Sequence, residues 1–365
     1  TIEKMFRNAT SFNQNIGFWN VGNVTNMVGL FRGASAFDQN LNNWDVNKVN
    51  NMARCFAGAS TFDSPLSNWN MSNAENVSLM FAGASSFNQD IGNWNVSNMK
   101  YLNGMFNGAS SFNQDISSWT INALDDSIHM SFMFQYASAF NQDISSWDTS
   151  NVVNMSEMFR RAFKFNQDIG GWNTENVTNM YSMFYGAESF AGDVSTWDVS
   201  KVKDFGFMFW NANTFNQDIS QWDVSSSENM QAMFRSAESF NQPLNDWEVG
   251  SVTSMADMFA YALEFDQPLG DWDVSSVTDM RHMFWNAQTF NQDLSNWDVS
   301  NVETMTWMFR FAEAFDQPID DWDFGNIEPE PEDGNKDGSE RQMGMNEMLV
   351  GSSFSQPNYD ALLIR

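Results

Sequence analysis

The sequence predicts an α/β repeat solenoid, with one short strand and one short helix or 3₁₀ segment in each 25-residue coil. Three observations predict it. Tryptophan recurs at Trp19, Trp44, Trp69, Trp94 and Trp119, then, after one longer step of 28, at Trp147, Trp172, Trp197, Trp222, Trp247, Trp272, Trp297 and Trp322. Alanine keeps the same register from Ala9 to Ala312, and phenylalanine from Phe12 to Phe315. The chain is 42% hydrophobic and 15% aromatic, too apolar for a disordered acidic polymer. A unit of 25 residues cannot bury its aromatic face alone, whereas units stacked in register can. The thirteen tryptophans of this lattice mark about thirteen coils.

The unit from Trp297 to Asp321 shows how each element is read. Trp297 and Val299 lie two apart, the spacing of a strand through Trp-Asp-Val. Ser300 with Glu303 has the form of a capping box, repeated at Ser72/Glu75 and Ser225/Glu228. Met305, Met308, Phe309 and Ala312 follow at i, i+3, i+4 and i+7, one face of a helix of two to three turns. The fixed alanine marks where that helix approaches its neighbour too closely for a larger side chain. The Phe-Asn-Gln-Asp-Ile stretch reads as a turn, because its fourth position is proline at Pro65, Pro243, Pro268 and Pro318.

The solenoid is expected over residues 1–327, with a three-residue insertion near Asn122–Asp126. Residues 328–342 are acidic and rich in Pro and Gly, the composition of a linker or inserted loop. Residues 343–365 read as a degenerate terminal repeat or cap. Residue 1 falls inside a unit, so the sequence reads as a fragment, and the lack of a visible leader carries little weight.

Composition excludes several classes of function. Lys+Arg is 17 and Asp+Glu is 46, a net charge of −29 that repels nucleic-acid phosphate and anionic lipid alike. No apolar run reaches the roughly 18 residues of a membrane helix. Cys55 is the lone cysteine and stands where most units carry Met, which reads as a small buried hydrophobe. His129 and His282 are the two histidines, too few for a multi-His metal site.

The stretch Met80–Met99, M-F-A-G-A-S-S-F-N-Q-D-I-G-N-W-N-V-S-N-M, resembles the 25-residue Mycoplasma-type unit of BspA-like leucine-rich-repeat surface proteins. The resemblance covers about residues 1–327. It implies a leucine-rich-repeat-like fold, a secreted or cell-surface location and a role in adhesion or protein binding, with no catalytic residues. Met348–Pro357 resembles a unit start with one residue missing, and Asn358–Ile364 resembles the segment that closes such arrays in secreted proteins.

Four groups of residues carry candidate chemistry. Asp333-x-Asn335-x-Asp337-Gly338-Ser339 has the alternating oxygen ligands and glycine of a calcium loop. Its twelfth position is Gly344 instead of Glu, so Glu340 or Glu347 would have to substitute; the alternative is a solvated acidic linker. Acids after Trp (Asp45, Asp148, Asp198, Asp223, Glu248, Asp273, Asp298, Asp323) and Asp before Ile, Leu or Val (Asp90, Asp115, Asp143, Asp168, Asp193, Asp218, Asp293) form two acidic rows. Stacked like charges need donors or a cation, so the rows read as Asx-turns or as a divalent-cation ladder. The near-uniform Asn-Gln pairs, such as Asn88-Gln89 and Asn291-Gln292, read as an internal amide ladder or as an array matching an ice or polysaccharide lattice.

The fourth group breaks the lattice. After Met-Phe the units place Arg7, Arg32, Arg160, Tyr185, Trp210, Arg235, Trp285 and Arg310, with Arg161, Tyr261, His282, Trp307 and Phe311 nearby. Trp, Tyr and Arg are the usual anchors of binding patches. The competing reading is lateral packing between adjacent coils. We expect a non-catalytic extracellular module that recognises protein or glycan on a host or neighbouring cell through Trp210, Trp285, Trp307, Tyr185, Arg235 and Arg310. The alternative is a structural spacer stiffened by calcium. A polysaccharide-active enzyme fits less well, because every coil carries similar carboxylates and none is set apart.

Overall fold

The computed structural model describes residues 1–121, 128–327 and 347–363. Its contacts divide the chain into two compact units, Thr1–Trp197 and Asp198–Arg365. The acidic linker 328–342, with the calcium-loop residues Asp333, Asn335, Asp337 and Ser339, lies outside the described residues.

In the first unit the expected helix is replaced by a ladder of turns. Alternate N–H groups point to the next coil: Met27 donates to the Asn51 carbonyl at 2.9 Å, Gly29 to Ala53 at 2.9 Å, Phe31 to Cys55 at 2.8 Å and Gly33 to Ala57 at 2.7 Å. The N–H groups between them close turns inside the coil, Leu30 to Met27 at 3.1 Å and Ala34 to Phe31 at 2.9 Å. Two left-handed residues four apart make this possible, Gly29 (φ 60°) and Gly33 (φ 72°) here. Met27, Leu30, Phe31 and Ala34 still share one buried face, so two successive turns reproduce the spacing of a helix face.

Ring stacking explains why a helix cannot form. Phe31 stacks on Phe56 at 5.5 Å, Phe56 on Phe81 at 5.6 Å and Phe81 on Phe106 at 5.8 Å between centroids. Adjacent helices need about 8–10 Å. The core rings set the coil spacing, and only a flat backbone fits it.

The expected strand also moves. At Trp-Asp-Val the chain doubles back, with Asn47 N–H donating to Asp45 Oδ1 at 3.2 Å and Val49 N–H to the Val46 carbonyl at 2.9 Å. The parallel pairing falls just before the turn ladder, as single bridges Asn26–Asn51, Asn51–Asn76, Asn76–Tyr101 and Tyr101–His129. Among the described residues it widens into a two-stranded parallel sheet once, between β1 (Ile128–His129) and β2 (Val152–Asn154). The expected capping serines are likewise held by Asx-turns: Ser72 N–H donates to Asn70 Oδ1 at 3.1 Å. The insertion leaves the lattice intact, since Trp119 and Trp147 stack at 6.3 Å and Trp94 and Trp119 at 6.5 Å.

The second unit repeats the plan. Met255, Asp257, Phe259 and Tyr261 donate to Asp279, Arg281, Met283 and Trp285 at 2.7–3.0 Å, and single parallel bridges run from Asp204 through Asn229, Ser254 and Asp279 to Thr304. Its last full coil is covered by the degenerate repeat. Phe309 and Phe311 donate to the carbonyls of Met348 and Val350 at 2.9 and 2.8 Å, and Phe354 stacks on Phe315 at 6.4 Å. Helix α1 (Gln356–Leu363) follows, with Pro357 in its first turn, where the missing N–H costs nothing.

In both units the lattice tryptophans after Trp19 are buried, and indole N–H groups reach back to the coil before. Trp44 reaches the Ile16 carbonyl at 3.1 Å and Trp272 the Leu244 carbonyl at 2.8 Å. Cys55 is buried too, and its burial pushes the thiol well above its ordinary pKa, away from a reactive thiolate.

Candidate binding surface

The repeated polar rows are consumed inside the fold. Asn88 Oδ1 accepts from Asn113 N–H at 2.9 Å and from Gln114 Nε2 at 3.0 Å, and Asn291 Oδ1 accepts from Asp316 N–H at 2.9 Å and Gln317 Nε2 at 3.0 Å. This is an internal amide ladder, and Asp38, Asp63 and Asp266 serve in it as Asn does. The two acidic rows form Asx-turns: Asp115 accepts from Ser117 N–H at 2.9 Å, Asp168 from Gly170 N–H at 3.0 Å and Asp298 from Ser300 N–H at 3.1 Å. The hydroxyl and N–H of the serine two residues on hold Asp198, Asp273 and Asp298 below the usual carboxylate range. Among the described residues no group of three His, Cys, Asp or Glu side chains is placed to hold a metal ion.

The coil at Trp247 varies the acidic pattern. Glu248 and Gly250 replace the usual Asp and Ser, and Asp246, Glu248, Asp271 and Asp273 line an open depression of about 530 Å³ there. All four acids are exposed.

The lattice-breaking residues occupy the turn ladder. In the first unit, Tyr185 receives the Arg160 guanidinium at 4.6 Å and that of Arg161 at 5.7 Å, while Arg161 also lies 5.6 Å from Tyr136. Glu157 accepts from Arg160 Nη1 at 2.7 Å. Burial disfavours the Arg160 charge, but the Glu157 hydrogen bond and carboxylate outweigh it and raise the pKa.

In the second unit the structure brings Trp210, Arg235, Trp285, Trp307 and Arg310 into one stripe. Arg235 Cζ sits 5.0 Å from the Trp210 ring, 5.5 Å from Trp285 and 5.8 Å from Tyr261. Its Nη1 donates to Asp257 Oδ1, and His282 Nδ1 lies 3.3 Å from the same oxygen. The His282 ring lies 5.4 Å from Trp285 and 5.3 Å from Trp307. Arg310 lies 4.3 Å over Trp307 and 5.0 Å from Phe311, and pairs with Glu347. Glu347, weighed from the sequence as a substitute calcium ligand, is thus an arginine partner.

The stripe is half-buried, and Phe311 is 40% exposed at its edge. The indole N–H groups of Trp285 and Trp307 are enclosed and meet no acceptor among the described residues. Sequence reasoning found the aromatic and arginine members but missed the acids Glu157, Asp257 and Glu347. All three occupy the first left-handed position of their coil (φ 55°, 60° and 49°), directly before Met-Phe at Glu157 and Asp257 and before Met-Leu at Glu347.

Coils of 25 residues, one of them three residues longer, stacked through rows of Trp, Phe and Asn or Asp, define a repeat protein. The family described as "Mycoplasma protein of unknown function, DUF285" matches residues 1–85, 39–130, 127–213, 188–284 and 264–330, and the chain belongs to that family. No curated protein matches. Among solved structures, the chain is similar to TLR13 in its complex with ssRNA13 (10% identity, TM-score 0.24, 76% of this chain and 49% of that one). It is also similar to an internalin from Listeria monocytogenes (9% identity, TM-score 0.27, 76% of each chain). The chain spans about half the length of the first, and superpositions this loose assign neither fold nor function.

Proposed function

We propose that this chain is a non-catalytic recognition module of an extracellular or cell-surface protein, binding protein or glycan through the aromatic–arginine stripe of its second unit. One observation carries the reading. The uniform rows are spent on internal hydrogen bonds, while the stripe varies from coil to coil and keeps large anchor side chains half-exposed. The BspA-like resemblance of the repeat supports a leucine-rich-repeat-like fold and a surface location.

The test is a screen of glycan and extracellular-protein arrays with the wild type and the variant carrying Trp210→Ala, Trp285→Ala and Trp307→Ala. Loss of at least tenfold in affinity for whatever the wild type binds is expected. Unchanged binding by the triple variant overturns the assignment to this face. The spacer reading rests on the Asp333–Ser339 motif. A thermal midpoint raised by Ca²⁺ and lowered by chelator supports it, and a midpoint indifferent to both removes calcium from the account.

A further inference from the structure

The second unit holds an aromatic cage with a cation already inside it. Trp210, Tyr261 and Trp285 come from three different coils and surround the Arg235 guanidinium at 5.0–5.8 Å. Asp257 supplies the carboxylate. Tyr261 and Trp285 meet edge to face at 4.8 Å, which fixes one wall of the cage against the next. Aromatic faces with a nearby carboxylate form the general recognition site for guanidinium and ammonium groups, because ring quadrupoles attract a cation that the acid neutralises.

The occupant itself is not sealed in. The side chain of Arg235 is 21% exposed and that of Asp257 16%. His282 Nδ1 of the following coil lies 3.3 Å from the same Asp257 oxygen, so a second nitrogen has room at this carboxylate beside Arg235. A chain of net charge −29 also draws cations toward its surface.

We propose that this cage is the binding site for a cationic side chain, arginine or lysine, of a protein partner, and that Arg235 is its intramolecular occupant in the free protein. The inference rests on the stripe being a recognition surface and names the chemistry recognised there. The partner's cation takes the place of the Arg235 guanidinium between the rings and on Asp257, and Arg235 swings to solvent. Guanidinium and ammonium exchange for one another in such a cage without leaving the carboxylate unpaired. A sugar would instead have to strip the cation from ring faces that it covers.

The structure makes a prediction that a merely structural role for Arg235 does not share. Removing the internal competitor should strengthen binding. The probes are an acetylated, amidated Gly-Arg-Gly-Arg-Gly peptide, its Glu counterpart and tetramethylammonium, titrated against full-length protein at physiological ionic strength, with tryptophan fluorescence and calorimetry as readouts. The Arg peptide should bind the wild type, tetramethylammonium should compete with it, and the Glu peptide should not bind. Arg235→Gln, which keeps most of the stem, should bind the Arg peptide at least fivefold tighter, and Trp285→Ala should lose it at least tenfold.

Equal or weaker binding by Arg235→Gln overturns the proposal. So does an Arg peptide that binds Trp285→Ala as well as it binds the wild type, since that is nonspecific attraction to the acidic surface. Should Arg235→Gln fail to fold, Tyr261→Ala and competition by tetramethylammonium in the wild type decide in its place. If neither cation binds while an array ligand binds in a Trp285-dependent way, the cage proposal falls and the recognition reading stands. If nothing binds through Trp285, both fall.

Discussion

Trp272 donates its indole N–H to the carbonyl of Leu244, 2.8 Å away in the coil before it. The bond links two coils and ties the largest core side chain to its neighbour's backbone. Trp285, thirteen residues on, has the same indole group enclosed with no acceptor among the described residues. The two tryptophans therefore separate the hydrogen bond from the ring.

Trp272→Phe and Trp285→Phe delete the same atoms. The first removes one of two donors to the Leu244 carbonyl, which keeps Trp247 N–H at 3.1 Å, while the second relieves an unmet donor. An unsatisfied buried group costs roughly 1–3 kcal/mol, so Trp272→Phe should lose at least about 1 kcal/mol more stability than Trp285→Phe. Chemical denaturation of the two variants side by side measures this, and equal losses would contradict it.

Gly83 and Gly171 form a second matched pair. Gly83 has φ 68° and only ordinary contacts around an added methyl, the nearest being Gly58 Cα at 3.7 Å. Gly171 has no positive φ and nothing within 4 Å. Gly83→Ala should cost about 1–2 kcal/mol from backbone strain alone. Gly171→Ala should be neutral or stabilising by roughly 0.4–1 kcal/mol, through the unfolded chain. Thermal midpoints moving in opposite directions are the expected result.

These left-handed positions also explain what could be read from the sequence and what could not. The period, the core rows of Trp, Phe, Met and Ala and the off-lattice residues were all legible, because burial leaves a regular imprint. The helix was not, because Met305, Met308, Phe309 and Ala312 make the same face on two linked turns as on a helix. The overlooked signal was glycine four apart, at Gly29/Gly33 and Gly104/Gly108, a spacing that a helix interior does not favour. The strand was misplaced because Trp-Asp-Val alternates like a strand, while its central Asp or Asn turns the backbone. Glu157 and Asp257 were lost among 46 acidic residues: Glu157 meets Arg160 three residues on, an i,i+3 pair that only the turn ladder brings together, and Asp257 meets Arg235 one coil away, where nothing local marks it.

Among the described residues the Asn291 side chain serves as an acceptor, its Oδ1 taking Asp316 N–H and Gln317 Nε2. Asn291→Asp keeps that oxygen and should fold with stability close to wild type, as Asp266 does one coil earlier. Asn291→Leu strands both donors and should cost about 1–3 kcal/mol. A Leu variant as stable as the Asp variant would remove the ladder from the account.

Asp273 is held below the usual carboxylate range by the Ser275 hydroxyl and N–H, with Asp298 one coil on opposing. Its folded pKa is lower than its unfolded one. Its contribution is therefore complete above the ordinary carboxyl pKa of about 4 and is lost as pH falls through the depressed value. Ser275→Ala should move the Asp273 titration, followed by carboxyl ¹³C NMR, upward toward the ordinary range. An unmoved titration would mean that the Asx-turn hydroxyl does not hold the charge.

The most direct test of recognition by the stripe uses the sixteen tryptophans as reporters. With ¹⁹F-labelled tryptophan, each indole is assigned by substitution and followed on addition of the ligand found in the arrays. Shifts confined to Trp210, Trp285 and Trp307, with the thirteen lattice resonances still, are what this account predicts. Shifts among the lattice tryptophans, with those three unmoved, would contradict it.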